Sequence, residues 1–182
     1  MGQYYKAIIL GEAKLSKQEI IRIFMEAWNY NNGAKLTEHS YLLNSFVSSF
    51  EFLLTPEGMF YKSRVVWAGD YADNEEGLET NLYQLTDGQT EKHHLGNIKN
   101  TEDYRYIINH TKKQYVDKHK NTGDFHPLPL LTAEGNGRGG GDYRGIDENL
   151  IGIWARDVIS VEKEKEKEKL DEYTELVCNF SE

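Results

Sequence analysis

Apolar positions along this chain follow two rhythms, and their order sets the expected elements. Tyr4 to Leu10 is an apolar and aromatic run closed by Gly11, which predicts a first strand. Ser16 followed three residues later by Glu19 has the form of a capping box. Ile20, Ile21, Phe24, Ala27 and Trp28 then recur at helical spacing, which predicts a helix that Asn31-Asn32-Gly33 stops. A second helix is expected from about Thr37 to Ser40 onward. Leu43, Phe46, Val47, Phe50, Leu53 and Leu54 form its apolar face, and Thr55-Pro56-Glu57-Gly58 ends it.

Phe60 to Ala68 reads as a strand buried on both faces, followed by the acidic loop Gly69 to Gly77. Asn81 to Leu85 is a short expected strand, and Thr86 to Thr101 a polar loop. Tyr104 to Ile108 and Gln114 to Val116 form a hairpin, and Leu130 to Ala133 runs extended. Leu150 to Val161 and Tyr173 to Phe180 are the last strands, expected to pair with each other. Residues 162–170 form a charged Glu/Lys excursion between them. Strands outnumber helices, and both helices fall in the N-terminal third. The expected class is α+β, a mainly antiparallel sheet in a single domain over 1–182.

Composition narrows the function classes. Thirty acidic against 21 basic residues give a formal charge of -9, the reverse of a duplex-binding protein, so a nucleic acid polymer is an unlikely partner. No apolar run reaches the ~20 residues of a membrane span. The N-terminus has no signal-peptide pattern, and one cysteine fits a reducing compartment, so the expected location is cytoplasmic. From Asp103 to Gly145, however, seven Lys/Arg face five Asp/Glu, with His110, His119 and His126 among them. That mildly basic stretch suits a small anionic ligand and leads into a glycine loop.

The loop runs from Glu134 to Gly145 and holds six of the chain's 16 glycines. Glycine allows positive φ and close approach of the backbone to a neighbour. Successive backbone N–H groups can form an anion cradle. Gly137, Gly139 and Gly140 would supply them, while Arg138 and Arg144 could fork onto phosphate oxygens. Asp142 could read a ribose hydroxyl, and Tyr143 could stack on a base. A Walker ending is absent, and no helical pattern follows as a dinucleotide fingerprint requires. The competing reading is a plain surface loop.

Other candidates are weaker. Asp70 and Asp73 lie in the acidic loop and could ligate a metal, although the spacing is not that of an EF-hand and a solvated loop explains it as well. Val66-Trp67-Ala68-Gly69-Asp70 echoes Ile153-Trp154-Ala155-Arg156-Asp157, so Trp67 and Trp154 are either core residues or edges of a stacking pocket. Trp28 reads as core. His39 lies at the start of the second expected helix, where an anion or a simple cap would fit. No motif calls for a cofactor, and the sequence leaves a homo-oligomer open.

Met1-Gly2-Gln3-Tyr4-Tyr5, Glu38-His39-Ser40-Tyr41, Val65 to Asp73 and Gly135 to Tyr143 together resemble a family of small phage and prophage proteins of unassigned activity. The resemblance implies an accessory protein of a phage or mobile element acting against host defence, and some such proteins sequester nucleotide signals. The leading expectation is therefore a non-enzymatic binder of a small nucleotide-like anion. A metal-dependent phosphodiesterase or nuclease, and an acidic inhibitor that binds a host enzyme, are the alternatives.

Overall fold

The computed structural model describes residues 3–12, 17–136, 140–164 and 170–182. Met1, Gly2, Ser16, Gly137, Arg138 and Gly139, together with 165–169 of the charged excursion, lie outside the described residues. Strands β1 (Tyr5–Leu10), β2 (Ile21–Glu26), β3 (Ser63–Gly69), β4 (Tyr106–Asn109), β5 (Gln114–Asp117), β6 (Ala133–Glu134), β7 (Val158–Glu162) and β8 (Thr174–Glu175) form one sheet. Its order is β2-β1-β3-β7-β4-β5-β8, with β6 beside β3. All pairings are antiparallel except β3 with β6 and β5 with β8. Short helices α1 (Leu36–His39), α2 (Ser45–Leu53), α3 (Leu82–Leu85) and α4 (Pro127–Leu131) complete an α+β fold. Among the described residues no helix is long and apolar enough to cross a membrane.

The sheet packs on both faces. Alternate residues of β1 divide between two clusters: Tyr5, Ala7 and Ile9 face the main core, and Ile8 and Leu10 face a smaller one with Phe24, Val66 and Leu82. Phe46, Val47, Phe50 and Leu53 of α2 cover the main face, as their spacing predicts. Asn44 caps α2, accepting from the Phe46 and Val47 amides at 2.9 and 3.2 Å.

Several local expectations are corrected. The first predicted helix is β2 followed by a 3₁₀ turn at Ala27–Tyr30. Ile9 pairs with Ile23 and Leu10 with Ile21, so Arg22 is the extra residue of a bulge. The bulge puts Ile21 and Phe24 on one face, three residues apart, and this imitates helical spacing. Trp28, read as core, is 62 % exposed. The second predicted helix is two, α1 and α2, because Leu43 sits in the left-handed region at φ 63 and breaks the run.

The expected strand Asn81 to Leu85 is instead helix α3, with Asn81 as its N-cap and Asn81 and Gln84 capping each other's backbone. Leu130 belongs to α4, which Pro127 opens, and only Ala133 onward is strand. Leu150 to Asp157 is a string of turns before β7. The terminal segment contributes only β8, which pairs with β5, since β7 already has β3 and β4 as neighbours.

Candidate functional site

The described part of the glycine loop packs inward. A Cβ at Gly141, where φ is 58, would stand 2.8 Å from the Tyr5 hydroxyl, and one at Gly135 would stand 2.4 Å from Gln3 Oε1. Close approach therefore accounts for these two glycines through contacts within the chain. Gly140 is buried beside Ile151. Asp142 accepts from the Thr37 amide at 3.3 Å and, over a shorter contact, from the Thr37 hydroxyl. Tyr143 is buried edge-on to Phe125 and Phe180, and its hydroxyl donates to the Ile146 carbonyl. Stacking on a base would require pulling it from the core. Arg144 is exposed, with Nη1 donating to the Gly141 and Tyr143 carbonyls at 2.8 and 2.7 Å.

The tryptophans are core residues. Trp67 packs on Phe46 and Phe50 and donates Nε1–H to His39 Nε2 at 2.9 Å. His39 in turn donates Nδ1–H to the Gly33 carbonyl at 3.0 Å, which fixes its tautomer. Burial pushes the His39 pKa down to about 4, only partly offset by that hydrogen bond. A neutral ring with both nitrogens engaged offers nothing to an anion. Trp154 is equally buried and donates Nε1–H to Gln114 Oε1 at 2.8 Å.

Asp70 accepts from the Tyr4 amide at 3.0 Å, and Asp73 is exposed. Val65 N–H donates to the Asp157 carbonyl, which places Asp157 beside the start of β3, whereas Asp70 follows its end; the two Trp-Ala-x-Asp segments do not converge. Among the described residues no group of three His, Cys, Asp or Glu side chains could hold a metal.

A different cluster has the geometry of a site. A cavity of about 520 Å³ opens between the N-terminal half of α2, the 98–102 segment and the end of β5, with Glu51, Lys118 and His126 on its floor. Glu51 is 1 % exposed. Its Oε2 accepts from Lys118 Nζ at 2.8 Å and His126 Nε2 at 3.1 Å, and Oε1 accepts from the Thr101 hydroxyl at 2.5 Å. His126 Nδ1 accepts from the Leu128 amide at 3.1 Å, which leaves the ring proton on Nε2 and caps α4. Burial raises the Glu51 pKa. The Lys118 charge, with the hydrogen bonds from His126 and Lys118, outweighs it and brings it down to about 2. The lip is apolar: Leu42, Leu43 and Ile98 are 42, 73 and 70 % exposed.

No protein-family model matches the chain, nor does any curated protein or solved structure.

Glu51 is held as a carboxylate and is not poised to exchange a proton near neutral pH. A general acid or base works best with a pKa near the operating pH, and a carboxylate held near 2 by Lys118 and His126 is far from that. Lys118 donates two of its three ammonium protons, to Glu51 and to the Thr101 carbonyl at 3.2 Å, leaving one charged donor at the floor. Lys99 and His119 stand on the exposed rim. Sequence periodicity passed over Glu51 because it treats α2 as an apolar stripe. The available signal was a carboxylate next to Phe50 and four residues after Val47, on the buried face.

Proposed function

We propose that this protein is a non-enzymatic binding protein for a small amphipathic anion, and that the ligand sits over Glu51 and not in the glycine loop. A nucleotide meets the description, with its base against Leu43 and Ile98 and its phosphate toward Lys118, Lys99 and His119. The observation that carries the reading is an apolar lip, strained and exposed, above a buried ion cluster that still has a donor to offer. Leu43 combines φ 63 with 73 % exposure, a backbone cost with no burial to offset it. Such strain suits a residue kept for contact with something else. The resemblance to phage proteins supplies the setting of the proposal: sequestration of a nucleotide signal in the host cytoplasm, against host defence.

Calorimetric titration with mononucleotides, cyclic nucleotides and ADP-ribose tests this. Leu43→Gly and Ile98→Ser each remove apolar contact and are expected to weaken binding about tenfold, the equivalent of ~1.4 kcal/mol, whereas Arg144→Ala leaves it unchanged. Loss of binding in Arg144→Ala with retention in Leu43→Gly would return the ligand to the glycine loop. A second reading, an inhibitor that docks on a host enzyme, draws on the consecutive exposed residues Tyr41, Leu42 and Leu43. It predicts no nucleotide binding, together with a salt-sensitive complex with a basic protein.

A further inference from the structure

The turn end of the β4–β5 hairpin, where Asn109 pairs with Gln114, lies opposite the end that carries Lys118. A second cavity of about 330 Å³ opens there, lined in part by Tyr61, His110, Lys113 and Tyr173. Its hydrogen bonds have a fixed direction. Ser160 donates to Glu162 Oε2 at 2.8 Å, so its hydroxyl oxygen accepts from His110 Nε2–H at 2.7 Å. His110 Nδ1 is then the acceptor for the Tyr173 hydroxyl at 3.3 Å. Burial, and next Lys62, keep the His110 pKa below its ordinary value, in keeping with this neutral tautomer. With its proton committed, the Tyr173 oxygen presents only lone pairs to the cavity.

The remaining groups are mixed. Lys62 and Lys113 both sit in the left-handed region, at φ 55 and 54, and neither has an ion pair among the described residues. Lys62 Nζ lies 5.1 Å from the Tyr61 ring centre. Glu162, Glu164 and Glu172 supply acceptors, so the lining carries two positive and three negative charges, a balance of -1. An anion would meet three carboxylates. Among the described residues no cluster is suited to a metal ion.

From this arrangement we propose a binding site for a small polyhydroxylated molecule of the sugar class. A hydroxyl can donate to Tyr173 or a glutamate while accepting from a lysine through the same oxygen, and few neutral groups do both. Ile108, Leu170 and the tyrosine rings give an apolar surface for the carbon skeleton. The inference stands independently of the ligand at Glu51.

Protein-observed NMR titration with D-ribose, D-glucose, glycine and inorganic phosphate as separate probes tests it. A sugar is expected to shift the His110, Lys113 and Tyr173 resonances saturably. Tyr173→Phe and the exposed Lys113→Met should each weaken that binding about tenfold, with the spectrum elsewhere unchanged. Shifts from glycine or phosphate in place of a sugar would overturn the proposal in favour of a zwitterion or anion site. The same residues remaining unmoved by every probe, or both variants binding like the parent, would remove the site altogether.

Discussion

His39 lies beneath the sheet with one ring nitrogen on the Gly33 carbonyl and the other on the Trp67 indole, and burial holds its pKa at about 4 against an ordinary 6.5. Because the folded value is depressed, the unfolded chain binds the extra proton first. The contribution is complete above pH 6.5 and is lost as the pH falls through 4, on the order of 3 kcal/mol. Urea unfolding between those values should show stability falling with acid, with a flatter slope in His39→Gln. An unchanged slope would mean that His39 is not the titrating group. Glu51 acts in a lower window, from 4.5 down to about 2, with the same sign. Leu43 carries the opposite kind of residue effect. Leu43→Gly relieves a left-handed cost of ~1–2 kcal/mol and adds ~0.5–1 kcal/mol of backbone entropy, so stability should rise slightly while ligand affinity falls.

At the level of elements, α2 is set by its cap and its stripe. Asn44 bonds two α2 amides through its carbonyl oxygen and, through its amide, Asn32 Oδ1 at 2.7 Å. Asn44→Ala should cost about 1–2 kcal/mol in urea unfolding, the upper part of the range for a lost cap. A cost well below that would mean water replaces the side chain. The α2 stripe was legible because Phe46, Val47, Phe50 and Leu53 follow one period against one core. The β1 run and the β4–β5 hairpin were legible for the same reason. β2 was not, since its bulge at Arg22 breaks the two-residue period that identifies a strand. The α3 segment could have been read as a helix from Asn81 and Gln84, whose spacing is that of a reciprocal cap.

Over the whole molecule, ion clusters join segments far apart in the chain. Arg156, in the left-handed region at φ 68, bonds Glu75 at 2.7 and 2.8 Å and Glu134 at 2.6 and 2.8 Å, and it lies 3.7 Å from Glu19. Burial opposes the Arg156 charge, but the bonds to Glu134 and Glu75 raise its pKa. Arg64 of β3 holds Glu19 from the other side at 2.7 Å. Removing Arg156 leaves partly buried carboxylates facing each other, so Arg156→Ala should cost ~3–5 kcal/mol. Hydrogen exchange should also quicken at Gly135 and Asn136, next to Glu134. A loss under ~1 kcal/mol would mean the carboxylates separate and find water instead.

The sequence by itself determined the class of the fold, the main hairpin, the apolar face of α2 and the acidic balance of the surface, because each rests on local period or on composition. It also marked the glycine loop, since glycine is needed wherever backbone and neighbour come close, but not what the neighbour is. Only the tertiary structure decided that Gly135 and Gly141 approach Gln3 and Tyr5, that Trp67, Trp154 and Tyr143 are enclosed, and that Glu51, Thr101, Lys118 and His126 meet at one cavity. Those outcomes depend on contacts between residues tens of positions apart, and no periodicity along the chain encodes them.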